Sequence, residues 1–221
     1  MLSELGTMME MYLRRLGIAS CLGVAALALP RAALAEPRVH DDFFFRLSLG
    51  LGAGWGREEL EIRSLGVSET NHLFGATATM EMLAGGTPLP GIVFGAAVGV
   101  LGRAKLEETG ENADTGDNAS AGIVQASLFT NWYPDPSQGL YLYASIGYAS
   151  APRTLGDVTY AVDSEGVALG AGGGYDFWMR DEWSLGPQFR VTIARLGTEE
   201  GSASISQWFV SPTLTIAMTY H

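Results

Sequence analysis

The chain has 221 residues, with 24 acidic against 13 basic side chains and a net charge of −11 at pH 7, which disfavours nucleic acid as a partner because phosphate binding rests on clustered Lys and Arg. Its 29 glycines recur in strand-like alternation, which excludes collagen and linker patterns and suits one structured domain. Cys21 is the only cysteine, so no disulfide forms within the chain.

Arg14 and Arg15 precede an apolar run from Leu16 to Leu29, and Ala33-Leu34-Ala35 follows as a small-residue cleavage site. Residues 1–35 therefore read as a cleavable signal peptide, since the run is shorter than the roughly 20 residues a spanning helix needs. Ile18-Ala19-Ser20-Cys21 resembles a lipoprotein box, but only Leu16 to Ser20 would serve as its apolar core. Cleavage after Ala35 removes Glu4, Glu10, Arg14, Arg15 and Arg31, leaving 22 acidic and 10 basic residues, a net −12, with no cysteine for thiol chemistry or metal binding.

From Asp42 to Gly56 the sequence alternates without a break. Phe43, Phe45, Leu47, Leu49, Leu51, Ala53 and Trp55 share one face, and Phe44, Arg46, Ser48, Gly50, Gly52, Gly54 and Gly56 the other. A period of two over this length predicts a long strand. The pattern returns seven times: at His72 to Ala84, at Ile92 to Lys105, at about Ala121 to Tyr133, from Leu140 to Tyr148, from Gly166 to Phe177, from Trp183 to Ala194, and from Gln207 to Tyr220. In the fourth segment the even residues Val124, Ala126, Leu128 and Trp132 are assigned outward. Pro187 and Pro212 would each remove a ladder donor, so they are expected at bulges or at the ends of paired regions.

The connections alternate in length. Ala84 to Gly91, Pro134 to Gly139 and Arg180 to Glu182 are short, while Arg57 to Thr70, Leu106 to Ser120, Ser150 to Asp163 and Gly197 to Ser204 are longer and richer in charge. Short periplasmic turns opposite longer external loops are the layout of an outer-membrane barrel. Phe43, Trp132, Tyr133, Phe177, Trp183 and Tyr220 lie near the short turns, where an aromatic girdle sits. The expected fold is all-β: an eight-stranded antiparallel up-and-down transmembrane β-barrel over 36–221, after the signal peptide. A secreted lipocalin-type barrel is the rival. It would have to enclose Phe43, Phe45, Trp55, Phe74, Met80, Ile92, Phe94, Trp132, Phe189 and Trp208, more than an eight-stranded interior holds.

With its signal peptide, eight alternating strands, glycine-rich inner face, Tyr133-Pro134 to Gly139-Leu140-Tyr141 turn and closing SPTLTIAMTYH, the chain resembles the small OmpA/OmpX-like outer-membrane barrels over residues 42–220. The resemblance implies insertion among outer-membrane lipid and lipopolysaccharide, handling by the barrel assembly machinery, a monomeric state, and no cofactor. It also implies a chain end on an aromatic, whereas here Tyr220 is followed by His221, and no peptidoglycan-binding domain follows the barrel.

The candidate functional residues are the inner-face charges Arg46, Glu81, Arg103, Lys105, Asp176 and Arg190, which should pair or meet trapped water because isolated buried charge is costly. They read first as a polar plug in an envelope-stabilising or surface-contact protein. The alternatives are a gated narrow pore for small solutes or ions and a lipid-modifying barrel enzyme. For the last, Ser68, Glu69 and His72 supply the residue types but no nucleophile motif, so no catalytic residues are assigned. The glycines of Gly50 to Gly56 and Gly170 to Gly174 are strand glycines, since Trp55 and Tyr175 break any nucleotide-loop pattern. The carboxylates of Glu107 to Asn118 lack EF-hand spacing, and no metal site is assigned. If Arg57 and Thr70 close the first loop, antiparallel register sets Arg46 opposite Glu81 and predicts that they pair in the lumen.

The long connections are acidic: Glu58, Glu59, Glu61, Glu69, Glu107 to Asp117, Asp157, Asp163, Glu199 and Glu200 outnumber Arg57, Arg63 and Arg153. Refolded protein is accordingly expected to pass through a heparin column at physiological salt, and retention there would refute the argument from loop charge.

Overall fold

The computed structural model describes residues 43–62, 66–109, 122–151, 164–180, 182–200 and 203–221; the leader region, with Cys21 and His40, lies outside them. The strands are β1 (Phe43–Ile62), β2 (Val67–Leu89), β3 (Ile92–Thr109), β4 (Gly122–Trp132), β5 (Leu140–Ala151), β6 (Ser164–Tyr175), β7 (Phe177–Trp178), β8 (Trp183–Glu200) and β9 (Ala203–Tyr220). Each pairs antiparallel with its neighbours, β1 pairs with β9, and β6 pairs with β8, so the sheet closes on itself. The short β7 continues the line of β6 along β8, and the long strands form an eight-stranded up-and-down barrel without a free edge.

The register sets the stagger of the ring. From Ser48 the partners run through Glu81, Gly99, Gln125, Ala149, Gly166, Leu196 and Gln207 and return to β1 at Glu58, ten residues further along. Strands tilted by this much enclose an interior that side chains can fill.

The two faces separate as period-two alternation requires. Leu49 is 56% and Leu214 62% exposed, whereas their neighbours on the other face, Ser48, Thr213 and Thr215, are buried. The fourth segment follows its assigned phase, with Val124, Leu128 and Trp132 outside and Ile123, Phe129 and Asn131 inside. An exposed apolar surface that encircles the whole sheet is suited to lipid and not to water. It is bounded by two registered rows: Phe45, Tyr220 and Trp183 near the short turns, and Arg57, Trp208 and Arg195 near the long connections. Tyr220 and Trp183 meet edge-on, with ring centroids 5.2 Å apart. At about 3.3 Å per residue and a tilt of about 40°, the stretch from Phe45 to Arg57 rises roughly 30 Å, enough for an apolar band about 25 Å tall.

Several boundaries differ from the sequence expectation. The connection expected over Arg57 to Thr70 is largely strand, because β1 and β2 stay paired out to Ile62 and Val67; Gly197 to Ser204 is likewise mostly paired. These segments keep alternating after they leave the apolar band, and backbone pairing needs no lipid. Residues 110–121 and 152–163 of the other long connections lie outside the described residues. Ala84 to Gly91 is strand as far as Leu89, with β-bulge irregularity before the turn.

Neither proline shifts the register of β8 against β9. Pro187 sits where the β6–β8 ladder stops and that of β7 begins, as expected of a strand-end proline. Pro212 marks neither a bulge nor an end. It coincides with a gap in the β1–β9 ladder, which skips Ala53 and Gly54 and resumes in the same register. There the Ser211 hydroxyl donates to the Ala53 carbonyl at 3.0 Å, replacing a donor the proline cannot supply.

The Pro134 to Gly139 turn is held by Asp135, whose carboxylate accepts from the Ser137 amide and hydroxyl and from the Gln138 side chain at 3.0, 2.6 and 2.7 Å. Those donors hold the exposed Asp135 carboxyl below its ordinary range. Gly91 turns β2 into β3 with φ +76°, and a Cβ there would lie 2.6 Å from the Tyr133 carbonyl oxygen. Gly91→Ala is therefore expected to cost roughly 1–3 kcal/mol, read as a lowered urea midpoint of the detergent-refolded barrel.

Candidate functional site: the charged lumen

The inner face carries two ion-pair clusters, each built across the barrel. In the first, near the short turns, Arg46 of β1 pairs with Asp176, between β6 and β7, at 2.5 Å. Its guanidinium also donates to Thr219 at 2.8 Å and to the Tyr133 hydroxyl at 3.0 Å. Tyr133 in turn donates to Asp176 at 2.8 Å. The guanidinium carbon lies 4.1 Å from the centre of the Tyr141 ring, a stacking that arginine's planar, weakly hydrated group suits. Arg46, Tyr133, Tyr141 and Asp176 are all buried.

The second cluster is one level further in. Arg190 of β8 forms a salt bridge with Glu81 of β2. Gln125 and the Tyr143 hydroxyl donate to the other Glu81 oxygen at 3.2 and 3.4 Å, and Arg190 also reaches Thr79 at 3.4 Å. Toward the long connections, Gln207 donates to Glu58, and Thr77 and Ser211 share a hydrogen bond at 3.0 Å. Around these the interior is apolar, with Leu101, Ile123, Ala149, Ala151, Ala168, Ala194, Leu196 and Phe209 packed as one cluster. Ser48 Oγ and both side-chain polar atoms of Asn131 have no protein partner, and buried groups of this kind are ordinarily met by trapped water.

The expected Arg46–Glu81 pair is absent. Arg57 stands opposite His72 and not Thr70, so Arg46 faces Leu83, and Glu81 faces Ser48. A displacement of two residues keeps every side chain on its expected face but changes its neighbours. Arg46, Glu81, Asp176 and Arg190 all lie inside, exchanged into the pairs Arg46–Asp176 and Glu81–Arg190. Arg103 and Lys105 belong to β3, but their own side chains are outside those described; a bulge opposite Gly75 separates Ala104 from Glu107.

Sequence reasoning missed the aromatic and amide partners Tyr141, Tyr143 and Gln125, set Tyr133 in the interfacial girdle although it is buried in the lumen, and placed Glu58 in a loop. Their signal was the same alternation, since each falls on the inner face. It also missed His221, which is buried beneath the first cluster. Its ring lies 2.9 Å from the Ser184 hydroxyl and 4.7 Å, centre to centre, from Trp178. Ser184, His221 and Asp176 superficially suggest a catalytic triad. However, the contacts to Ser184 and to Asp176, at 2.9 and 4.0 Å, both involve Nε2, and a relay needs the two ring nitrogens to serve different partners. Ser68 and His72 both point outward on β2 at a separation of about 13 Å for four strand residues, too far for a nucleophile and its base. No group of three potential metal ligands occurs among the described residues.

A closed, lipid-faced antiparallel ring with short turns at one end defines an outer-membrane β-barrel. The chain belongs to the autotransporter β-domain family, which it matches over residues 53–208, from within β1 to within β9. The solid-state NMR structure of the outer membrane protein AlkL in lipid bilayers has the same fold: the TM-score is 0.50 at 17% identity, covering 87% of this chain and 96% of that one. Neisserial surface protein A is similar at 14% identity and a TM-score of 0.47, with 80% and 96% coverage. The outer membrane protease OmpT from Escherichia coli is similar at 10% identity and a TM-score of 0.38, with 86% and 99% coverage. No curated protein matches in sequence.

The two pairs give distinct expectations in a double-mutant cycle. Glu81→Ala should destabilise the refolded barrel by on the order of 3–5 kcal/mol by stranding Arg190. Adding Arg190→Leu should recover part of that loss, with a coupling on the order of 1–3 kcal/mol, whereas adding Arg46→Leu should be closer to additive. Urea unfolding in detergent measures all three.

Proposed function

We propose that this outer-membrane barrel is a non-conducting structural and surface-contact protein, whose lumen is a plug and whose activity resides in its lipid-facing wall and acidic connections. The observation that carries this reading is the pair of cross-barrel clusters, Arg46–Asp176 with Tyr133 and Glu81–Arg190 with Tyr143, which tie opposite walls together. Opening a path would separate buried charges from their partners, at several kcal/mol for each pair. Export through a signal peptide cleaved near Ala35, folding by the barrel assembly machinery, and a monomer among outer-membrane lipid and lipopolysaccharide accompany the proposal. A lipid-modifying activity finds no support in the geometry of Ser68 and His72.

Planar-bilayer recording of the refolded protein is the test. The intact barrel is expected to give no steps above the bilayer baseline, while the quadruple variant Arg46→Ala, Asp176→Ala, Glu81→Ala, Arg190→Ala should conduct if it still refolds. Regular single-channel steps from the unmodified protein would establish the narrow pore instead.

A further inference from the structure

The row that ends the apolar band on the side of the long connections differs in kind from the row at the other end. On the outer face, β2, β1, β9 and β8 carry His72, Arg57, Trp208 and Arg195 as successive registered partners, followed on β6 by Val167. All five side chains are exposed. In a chain of net charge −11, two arginines thus flank one tryptophan on adjacent strands. Their Cα positions are two strand spacings apart, about 10 Å, a gap short enough for two extended arginine side chains to meet one group above Trp208.

An arginine on the lipid face is costly at mid-membrane and tolerable only near the interface, where its stem lies along the apolar wall and its head turns to the headgroups. Ile193 and Leu169, one outward step below Arg195 and Val167, are exposed apolar residues, so Arg195 stands at the edge of the band. No acidic partner of Arg195 occurs among the described residues. Arg57 meets Glu59 at 2.7 Å, with both side chains half exposed, and an ion pair so open to solvent is weakly held. Glu165 is exposed on β6 one outward step beyond Val167, on the side away from the apolar band, where it leaves the approach from the lipid open.

We infer that Arg57 and Arg195, with Trp208 between them, form a binding site for the phosphate group of an outer-leaflet membrane lipid. The guanidinium fork matches phosphate geometry through paired, charge-assisted hydrogen bonds. Trp208 supplies an amphipathic surface at headgroup depth for the lipid's glycerol or sugar, and the exposed apolar wall below takes the acyl chains.

The test is native mass spectrometry of the refolded barrel in detergent, titrated with bisphosphorylated lipid A or with the same lipid after dephosphorylation. The phosphorylated form should bind about tenfold more tightly, and Arg57→Gln with Arg195→Gln should remove that preference. Arg180→Gln, exposed at the opposite end of the barrel, should keep it. Heat-modifiable gel migration confirms that each variant is folded, and Arg195→Gln alone, expected to lose part of the preference, serves if the double variant does not refold. Equal binding of the two lipids, or an equal loss in Arg180→Gln, would overturn the assignment. Because the readout is lipid affinity, it is independent of whether the lumen conducts.

Discussion

The structure depends on a problem of enclosure. An eight-stranded ring is wide enough to hold side chains but too narrow to leave them in bulk water, so whatever faces inward must be satisfied by what faces inward from elsewhere. Arg46, Glu81, Asp176 and Arg190 meet this constraint with two ion pairs, each surrounded by tyrosine hydroxyls, threonines or amides that take up part of the remaining donors and acceptors, while Arg46 Nη1, Asp176 Oδ1 and Arg190 Nε have no protein hydrogen-bond partner among the described residues, as is ordinary where trapped water completes a buried site. Replacing such pairs by packed apolar residues is often neutral or stabilising in other proteins. Their value here is directional: each joins strands that are not sheet neighbours, β1 to the β6–β7 junction and β2 to β8, and so fixes the cross-section of the ring.

That directional feature also separates what could be read in the sequence from what could not. Period-two alternation specified the strands and the face of nearly every residue, because inside and outside are set by parity alone. Tyr141 and Tyr143 were inner-face residues by the same rule, though their part in the network was not evident, whereas Tyr133, assigned to the girdle for its place beside a short turn, has inner-face parity and is buried in the lumen. Register was less legible. Taking Arg57 and Thr70 as the loop ends assumed that pairing stops where the apolar pattern stops, but Glu58 to Ile62 continue as strand. Partner identity was out of reach for a further reason. Neighbour reasoning treats Arg46 and Glu81 as candidates because their strands adjoin, whereas in a lumen this narrow the contacts run across the axis, and no local spacing encodes the distance between β2 and β8.

Two glycines show how tightly the interior is used. A Cβ on Gly54 would lie 2.6 Å from the Phe209 ring and 2.8 Å from Thr77, and one on Gly174 would lie 2.6 Å from the Tyr141 hydroxyl. These positions lack side chains because rings from neighbouring strands occupy the space. The glycine-rich inner face is thus the complement of the bulky residues beside it, which is how large rings and charged groups are packed into one narrow ring.

The interior also carries apolar clusters at both ends of the barrel, and these bear on the proposed plug beside the charge clusters. Toward the short turns it is lined by Arg46 and Asp176 together with Phe44, Leu83, Val93, Phe129, Tyr133 and Tyr141. Toward the long connections it is lined by Leu101, Ile123, Ala168, Leu196 and Phe209. Among those apolar side chains the loop side also carries the buried Glu58, to which Gln207 donates, so an ion entering there would shed water beside a single carboxylate. An apolar solute that crossed the same region would then meet two buried ion pairs it could not satisfy. On the proposed reading of the lumen as a plug, this alternation of apolar clusters with buried ion pairs would be a barrier of its own to either class of solute, even where a single cluster rearranges.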